Sequence, residues 1–412
     1  MNNKIRHPEH AIILILMAGF LMVDTLMGVI ETYAGIHLKV SLLYKTPVLL
    51  SICLIIALKD TKFTFWLLLS LLGFLIGPIL ALVKYSNSAA LFFDITLILK
   101  VFTPILFFRY FTYIAEINPS LLSNWGSKVI YINYGVLFLN IFIGLFGFGY
   151  SSYNSGVGIN GFFSAGNELG AVFIVLSAFV LTQCLLRSIK LYIIFSIITV
   201  LIGLLISTKT SILSAILLII LIPAVINRKE FFKPTQLKVT LAALFIILIS
   251  ISVAYSISIL QSIGVWERVL WMYNKFGILG VILSGRDVYT VNLLEIFYQH
   301  NWVEWFFGIG TSGIFHHWLT VKESAEIDPI DVLIVFGHIG LFIALTMQLW
   351  ILNALTTIKQ PHNEALRKTA IIIFFMFLTL AFTSGHIWLS GMVGPFIGLV
   401  FAMAYIKNGK YN

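Results

Sequence analysis

Three carboxylates stand close together in the stretch AEIDPIDVLIVFGHIG, residues 325–340. Asp328 precedes Pro329, and proline favours the first position of a helix, so we expect Asp328 to be the N-cap residue and Asp331 to lie in the first turn. Glu326 has no such structural role. A carboxylate near a membrane surface could act as a general base, provided that its surroundings bring its pKa towards the working pH.

A second candidate group is Arg286, in the segment SGRDVY. Ser284 is placed to cap a helix that follows it, and an arginine near a helix start opposes the helix dipole, so helix stability does not explain this side chain. The planar guanidinium suits a phosphate or a carboxylate ligand. The alternative is an ion pair with Asp287 or with another acid of the same loop.

Charged residues also interrupt the apolar runs. Lys209, in ISTKTSIL, is either part of a tight turn, with its amine reaching the membrane interface, or a cation that faces a lipid-linked pyrophosphate. Lys100 and Asp94 lie within one apolar run, about a turn and a half of helix apart. Charges inside a membrane are costly and indicate function by default, although a contact between these two side chains or with the lipid interface is the alternative.

Two other patterns predict no cofactor and no metal. Residues 308–313, GIGTSG, match the glycine spacing of dinucleotide-binding sites, but that fingerprint requires a preceding strand, so we interpret them as a chance match or as turn glycines. The neighbouring His316 and His317 lack a spaced set of further His or Cys ligands. Although the net charge is +9, no basic patch is interleaved with aromatic residues, so nucleic acid is not an expected partner.

The composition predicts the elements that position these residues. The chain is 59% hydrophobic and 10% charged, with a mean hydropathy of +1.00, far from a soluble domain. We therefore predict an all-α polytopic membrane protein, and the apolar runs are long enough to cross a bilayer. They indicate about twelve transmembrane helices: 11–30, 40–58, 63–83, 89–108, 129–149, 166–186, 191–207, 208–226, 240–260, 329–352, 369–386 and 389–406.

The distribution of basic residues predicts the orientation. Most of the 26 Lys and Arg residues fall in the segments that are cytoplasmic if both termini are cytoplasmic, as the positive-inside rule requires. The segment 150–165 and the much longer segment 261–328 then face outwards. No repeat or linker divides the chain, so we expect a single membrane domain, 1–412, with 261–328 as a large extracytoplasmic loop without obvious regular structure.

Several short segments carry a resemblance when their order is considered. GFFSAGNELGA (161–171) opens a helix, STKTS (207–211) is a small-residue step with a cation, and SGRD (284–287) precedes FFGIGTSG (306–313). Glu326 then stands ten intervening residues before Gly337, with Gly340 beyond it. The ordered set resembles the O-antigen polymerase (Wzy) and O-antigen ligase (WaaL) superfamily of membrane glycosyltransferases over about two thirds of the chain.

The resemblance implies an inverting glycosyl transfer, without metal or cofactor, from a glycan linked to undecaprenyl pyrophosphate in the bacterial cytoplasmic membrane. Ligases have a histidine where this chain has Glu326, and the spacing E-x-D-x-x-D is similar to the polymerase branch, so we expect a polymerase. Its acceptor would be another lipid-linked repeat unit. Its partners would be these lipid-linked glycans, membrane lipids and, as is usual in the family, a chain-length regulator.

This interpretation assigns a role to each candidate. Arg286, assisted by Lys209 and Arg268, would face the leaving pyrophosphate, and Glu326 would take the proton of the attacking hydroxyl. Asp328 would orient the acceptor sugar or only cap its helix. Asn167 is either a substrate contact at a helix start or a turn residue.

Two alternatives stay open. A ligase would transfer the finished glycan to lipid A core or to a protein. A transporter or flippase for lipid-linked sugars would show binding residues near the bilayer midplane and broken helices in matching halves. The polar residues of this sequence gather in one outward loop instead, which favours chemistry outside the cytoplasm.

Overall fold

The structure, a computed structural model, describes residues 8–37, 39–152, 158–228, 233, 265–316, 323–358 and 363–406. Helices α1 to α10 are Pro8–Ala18, Phe20–Ala34, Val40–Lys59, Thr61–Tyr85, Ser88–Ile117, Pro119–Leu121, Ser127–Gly144, Gly166–Arg187, Ile189–Ile206 and Lys209–Ile226. Helices α11 to α17 are Val265–Leu283, Arg286–Tyr298, Trp302–Phe307, Gly310–His316, Asp328–Thr356, Glu364–Thr383 and Gly394–Ala402. A π-helical turn, Leu122–Gly126, joins α6 to α7, and a 3-10 turn, Met403–Tyr405, follows α17.

Strands are almost absent from this part of the chain. The described residues contain only β1 (Tyr150–Ser151) and β2 (Ile159–Gly161), which pair antiparallel. The prediction of an all-α fold is therefore confirmed.

Helices long and apolar enough to cross a membrane number ten within the described residues. The predicted span 240–260 lies outside those residues, and the predicted span 389–406 is the shorter helix Gly394–Tyr405. Large apolar side chains such as Leu43, Trp66 and Val83 are exposed on the outer surface of the bundle, where a soluble protein would bury them. The chain is thus a multi-pass membrane protein, and the number of twelve spans stays a prediction.

The helix boundaries follow from polar residues at the ends of apolar runs. The side chains that cap α4, α5 and α10 each accept a hydrogen bond from the amide three residues further on, and they are Asp60, Asn87 and Thr208. Because the connections between these helices are short, consecutive helices run antiparallel and pack against each other.

The antiparallel course gives the bundle two ends. Lys84 contacts Glu304, and Lys209 contacts Ser284, so the connections that follow α4 and α9 lie at the same end as residues 265–316. We call this the loop end, and it also holds the connections 35–39, 145–165 and 384–393. Its assignment to the outer face of a membrane follows from the positive-inside rule and stays a prediction.

The large loop is more regular than the sequence indicated. Its described part, 265–316 and 323–327, is mostly helical and contains α11 to α14. Asp94 of α5 accepts hydrogen bonds from the amide of Thr311, at 2.9 Å, and from its hydroxyl, which fixes α14 on the membrane bundle. The expectation of a loop without obvious regular structure was wrong. Three of its helices have 13 residues or fewer, and α13 and α14 pack mainly on the membrane helices α4 and α15, so no long apolar run indicates them.

The glycines of 308–313 serve a close crossing of segments. Gly308 has a φ of +91°, and a Cβ atom there would lie 2.1 Å from the carbonyl oxygen of Val335 in α15. Gly337 breaks α15 with a φ of +67°, and a Cβ atom there would lie 2.3 Å from the oxygen of Phe306. Only residues without a side chain allow this approach. Of the three glycines in 308–313, Gly308 lies in the turn before α14, whereas Gly310 and Gly313 belong to α14 itself, so the interpretation as turn glycines holds for Gly308.

The connection between α16 and α17 departs from the predicted spans. Helix α16 ends at Thr383, and residues 384–393 form a non-helical segment with Gly385 at a φ of +57° and His386 at +56°. The segment is apolar enough to resemble membrane helix in sequence. We call it the 384–393 segment, and it forms one wall of the site described next.

Candidate active site at the loop end

Arg286 and Glu326 form an ion pair beside the 384–393 segment. The Nε and Nη2 atoms of Arg286 donate to the same carboxylate oxygen of Glu326 at 3.2 and 3.0 Å. The Nη1 atom donates to the carbonyl oxygen of Thr383 at 3.2 Å. The guanidinium thus lies where the start of α12, the loop before α15 and the end of α16 meet. Of the two alternatives for this arginine, the ion pair with a loop acid is observed, and the acid is Glu326.

Glu326 occupies a strained backbone position. Its φ is +57°, in the left-handed region that costs a non-glycine residue about 1 kcal/mol. Its amide donates to the Ser324 hydroxyl at 3.0 Å, and its carbonyl oxygen packs against Gly385, where a Cβ atom would lie 2.1 Å away. Strain of this kind persists where the surroundings enforce it, and it is frequent at functional sites.

Asp328 does not cap its helix, so the capping prediction was wrong. The residue is the first of α15, and its carboxylate accepts from the amides of Ile387 at 2.9 Å and Trp388 at 2.8 Å, and from the amide of His386. These bonds attach α15 to the 384–393 segment. The sequence missed this because the amides belong to a segment 58 to 60 residues further along the chain.

Asp331 closes the loop that precedes its own helix. Its two carboxylate oxygens accept from the Ala325 amide at 2.7 Å and the Ser324 hydroxyl at 2.8 Å. Asp331 is 7% exposed and Asp328 3%, whereas the side chain of Glu326 is 25% exposed. Glu326 is therefore the one carboxylate of the three that a substrate could reach.

Lys209 contacts residues 281–284, which come directly before Gly285 and Arg286 in the chain. Its Nζ donates to the carbonyl oxygen of Val281 and, at 3.1 Å, to the hydroxyl of Ser284. Ser284 was expected to cap α12, but the cap position is Gly285, which makes no side-chain cap bond. Lys209 is exposed at the start of α10 and holds residues 281–284 in place. A tight turn does join α9 to α10 here. The reach of the amine to a membrane interface and its contact with a pyrophosphate stay predictions.

Asn167 also reaches the 384–393 segment. Its Nδ2 donates to the carbonyl oxygen of Ser384 at 3.4 Å, and it stands in the first turn of α8. The contact orients the residue towards the same segment that binds Asp328 and packs on Glu326. A substrate contact by Asn167 stays a prediction.

Residues that the sequence did not select extend the polar network. Glu168 accepts from the Ser390 hydroxyl at 2.7 Å and from Lys100 Nζ at 3.4 Å. The mutual contact considered for Lys100 and Asp94 is absent, since Asp94 binds Thr311 instead. The intramembrane position of Lys100 was a signal of this network, whereas no sequence pattern indicated Ser390.

Two further predictions concern Arg268, as a cation for the pyrophosphate, and the neighbouring His316 and His317, for which no metal was expected. The side chain of Arg268 lies outside the described residues, so its predicted role is untested. The described residues contain no group of three or more His, Cys, Asp and Glu side chains that could hold a metal ion. Within them, His316 packs on the ring of Tyr85 with centroids 5.2 Å apart.

The arrangement combines one half-buried carboxylate with two fixed cations. A guanidinium held by carbonyl oxygens on one side can bind a phosphate or carboxylate on the other in a bidentate manner. A carboxylate beside it can accept a proton once the cation is neutralised by a ligand, because pairing with the cation favours the ionised form. The chemistry available is therefore anion binding combined with proton transfer.

Comparisons with known proteins add no family to this picture. No model of a known protein family matches the chain, and no curated protein sequence matches it.

Proposed function

We propose that the protein is a membrane glycosyltransferase that joins lipid-linked glycan repeat units, a polysaccharide polymerase. The observation that carries the proposal is the Arg286–Glu326 pair, a cation fork and an accessible acid held together at the loop end of a membrane bundle. The ordered resemblance of the sequence to the O-antigen polymerase and ligase superfamily supports it. The proposed location is the outer face of a bacterial cytoplasmic membrane.

The donor would be a glycan attached to undecaprenyl pyrophosphate. When the bond between the anomeric carbon and the pyrophosphate oxygen breaks, the negative charge of the leaving group grows, and fixed cations stabilise that charge. Arg286 is only 12% exposed, so its charge is weakly screened by water. Lys209, which binds Val281 and Ser284, would supply a second, more exposed cation.

The acceptor hydroxyl would lose its proton to Glu326 as its oxygen bonds to the anomeric carbon. In the structure Arg286 holds this carboxylate. A bound pyrophosphate would compete for the same guanidinium and release Glu326 as the base. Donor binding would thus activate the base.

Deletion of the gene, followed by complementation, tests the proposal. Cells that lack a polymerase should carry single repeat units on their surface glycan, and the native chain should restore long polymer on a glycan gel. Glu326→Gln and Arg286→Ala should not restore it, while immunoblotting shows normal amounts of protein in the membrane. Normal polymer length with both variants would show that the site is wrong.

The same gel separates a ligase from a polymerase. If deletion removes all attached glycan and leaves long polymer on the lipid carrier, the protein transfers finished chains rather than building them. The roles proposed for Arg286 and Glu326 would then apply to transfer onto lipid A core or protein.

One observation favours a second candidate, a transporter for lipid-linked sugars. Ion pairs lie within the spans, between Lys45 and Asp24 at 2.7 Å and between Lys100 and Glu168 at 3.4 Å. The 384–393 segment interrupts the helical course beside the second pair, as transporter helices often do. For a transporter, deletion would leave lipid-linked repeat units on the inner leaflet, inaccessible to a membrane-impermeant sugar-oxidising reagent. For a polymerase they would be accessible.

A further inference from the structure

A cavity of about 440 Å³ has Glu168, from the first turn of α8, in its wall and includes neither Arg286 nor Glu326. It is open and is bounded by α2, α3, α5, residues 164–168 and residues 391–395. Its volume falls in the range of small-molecule sites. We call it the lysine cavity because three lysines line it: Lys39, Lys45 and Lys100.

The three lysines differ in whether a carboxylate lies beside them to balance their positive charge. Lys45 binds both carboxylate oxygens of Asp24 at 2.7 Å, and Lys100 lies 3.4 Å from Glu168. Lys39 Nζ lies over the ring of Phe92, 4.5 Å from its centroid, and contacts no acid among the described residues. With three cations and two carboxylates on its walls, the cavity carries a net positive charge, which an anionic ligand would complement.

The positions of the lysines form a path along α3. Lys39 is exposed in the connection before α3, at the loop end, and Lys45 follows about 9 Å further along at 1.5 Å per residue. Lys45 is 16% and Asp24 5% exposed, so this ion pair is already withdrawn from solvent. A headgroup that enters past Lys39 would meet a second cation inside.

The remaining wall is apolar and aromatic. Helices α2, α3 and α5 contribute Phe20, Leu49, Phe92, Phe93, Leu99 and Phe107. Phe92 and Phe93 are 47% and 54% exposed, which a bilayer-facing surface permits and an aqueous one does not favour. A ligand with an anionic head and a hydrocarbon tail fits both parts of the wall.

We infer that the lysine cavity is a second site, distinct from the Arg286–Glu326 pair, for a lipid with an anionic phosphate headgroup. The phosphate of this lipid contacts Lys39 and the one N–H of the Lys45 ammonium that does not donate to Asp24. The lipid tail lies on the aromatic wall of α5. The inference stands on the shape and charge of the cavity and does not need the proposed reaction.

The two sites are neighbours through consecutive residues. Asn167 contacts the 384–393 segment on the side of Arg286, and Glu168 lines the lysine cavity and binds Ser390. A polymerase uses two lipid-linked substrates at once. On the proposed function, on which this step rests, the lysine cavity holds the second of them.

Native mass spectrometry of the full chain in detergent tests the lipid site. The probes are undecaprenyl phosphate, phosphatidylglycerol and phosphatidylcholine, which has no net charge. Lys39→Gln should weaken binding of the two anionic lipids about fivefold, as expected for one lysine near a lipid phosphate, and Lys39→Arg should retain it. Undecaprenyl phosphate binding more tightly than phosphatidylglycerol identifies the carrier lipid as the source, and equal binding identifies any anionic phosphate lipid.

Lys275→Gln is the matched control, because Lys275 lies over the ring of Trp271 at 4.9 Å, outside the cavity. It should bind all three lipids as the native chain does. The inference would be overturned if Lys275→Gln weakened binding of the anionic lipids as much as Lys39→Gln does, or if Lys39→Gln left that binding unchanged. It would also be overturned if phosphatidylcholine bound as tightly as the anionic lipids. A loss of polymer with Glu326→Gln at normal lipid binding would separate the two sites.

Discussion

Two arginine–carboxylate pairs of the same geometry lie at opposite ends of the bundle. At the loop end, Arg286 donates from Nε and Nη2 to one oxygen of Glu326 at 3.2 and 3.0 Å. At the other end, Arg109 donates from the same two atoms to one oxygen of Asp60 at 2.8 and 2.5 Å. The shorter pair would be the stronger candidate if contact distance alone indicated function.

The surroundings of the two acids decide otherwise. Asp60 caps α4 through a 3.0 Å bond from the amide of Phe63, and the arginine from α5 fastens the α3–α4 turn to its neighbour. Glu326 caps no helix and stands at a φ of +57°. The Asp60 pair has a sufficient structural reason. The Glu326 pair has a structural cost, and this difference is the better indicator of a functional site.

The largest expected difference between the pairs is in activity. Glu326→Gln keeps the size and one acceptor oxygen of the side chain but removes the proposed base, so the rate of polymer formation should fall about 100-fold or more. Asp60→Asn, the matched change in the other pair, should alter the rate less than twofold. Initial rates with purified protein and lipid-linked repeat units measure both. Similar losses in the two variants would break the comparison.

The next largest effect is on stability, and here the larger change is expected at the Asp60 pair. Asp60→Ala removes a helix cap and should lower the free energy of unfolding by about 1 kcal/mol, up to 2. Asp60→Asn should lose less, because asparagine caps as well as aspartate does. Denaturant unfolding in detergent gives both values. If alanine and asparagine are equally destabilising, the cap is not what Asp60 contributes.

A smaller effect should reveal the strain at Glu326. Because glycine adopts a positive φ without cost, Glu326→Gly should be about 1 kcal/mol more stable than Glu326→Ala, although both lack the acid. Thr346, exposed in the middle of α15, is the control, and there glycine should be less stable than alanine by a similar amount. A lower stability of Glu326→Gly than of Glu326→Ala would contradict the strained position.

The smallest expected effect is a pH dependence at the Asp60 pair. Burial raises the pKa of Asp60, but the hydrogen bonds from the Phe63 amide and the Arg109 guanidinium outweigh it, and the pKa lies below its ordinary value. The resulting stability is complete above the unfolded pKa, about 4, and is lost as the pH falls through the folded pKa. The native chain should therefore exceed Asp60→Asn in unfolding midpoint at pH 7 by more than at pH 3. A constant difference would contradict the pairing.

Much of the fold was predictable because membrane helices are encoded locally. The predicted spans 166–186 and 208–226 correspond to Gly166–Arg187 and Lys209–Ile226, since a long apolar run between polar ends has few alternatives in a bilayer. The last two spans, 369–386 and 389–406, overlap the helices Glu364–Thr383 and Gly394–Tyr405 but were predicted too close together. Residues 384–393 are apolar, yet three of their amides bind Asp328 rather than a preceding helical turn.

The candidate site was predicted in part. Arg286 and Glu326 were selected separately, each because helix stability left it unexplained, and the structure joins them. The cap expected of Asp328 was wrong, and Glu168 and Ser390 were missed, because their partners are more than 50 residues away in sequence.

The sequence by itself determined that the chain is an all-α, multi-pass membrane protein and that Glu326 and Arg286 are residues without a local structural role. Those properties depend on composition and on neighbours within a few positions. Only the tertiary structure decided that these two side chains meet and that three lysines line one cavity. It also decided that the carboxylates of Asp328 and Asp331 accept hydrogen bonds from backbone amides and a hydroxyl. Such contacts depend on how helices from distant parts of the chain pack, and no local pattern specifies that packing.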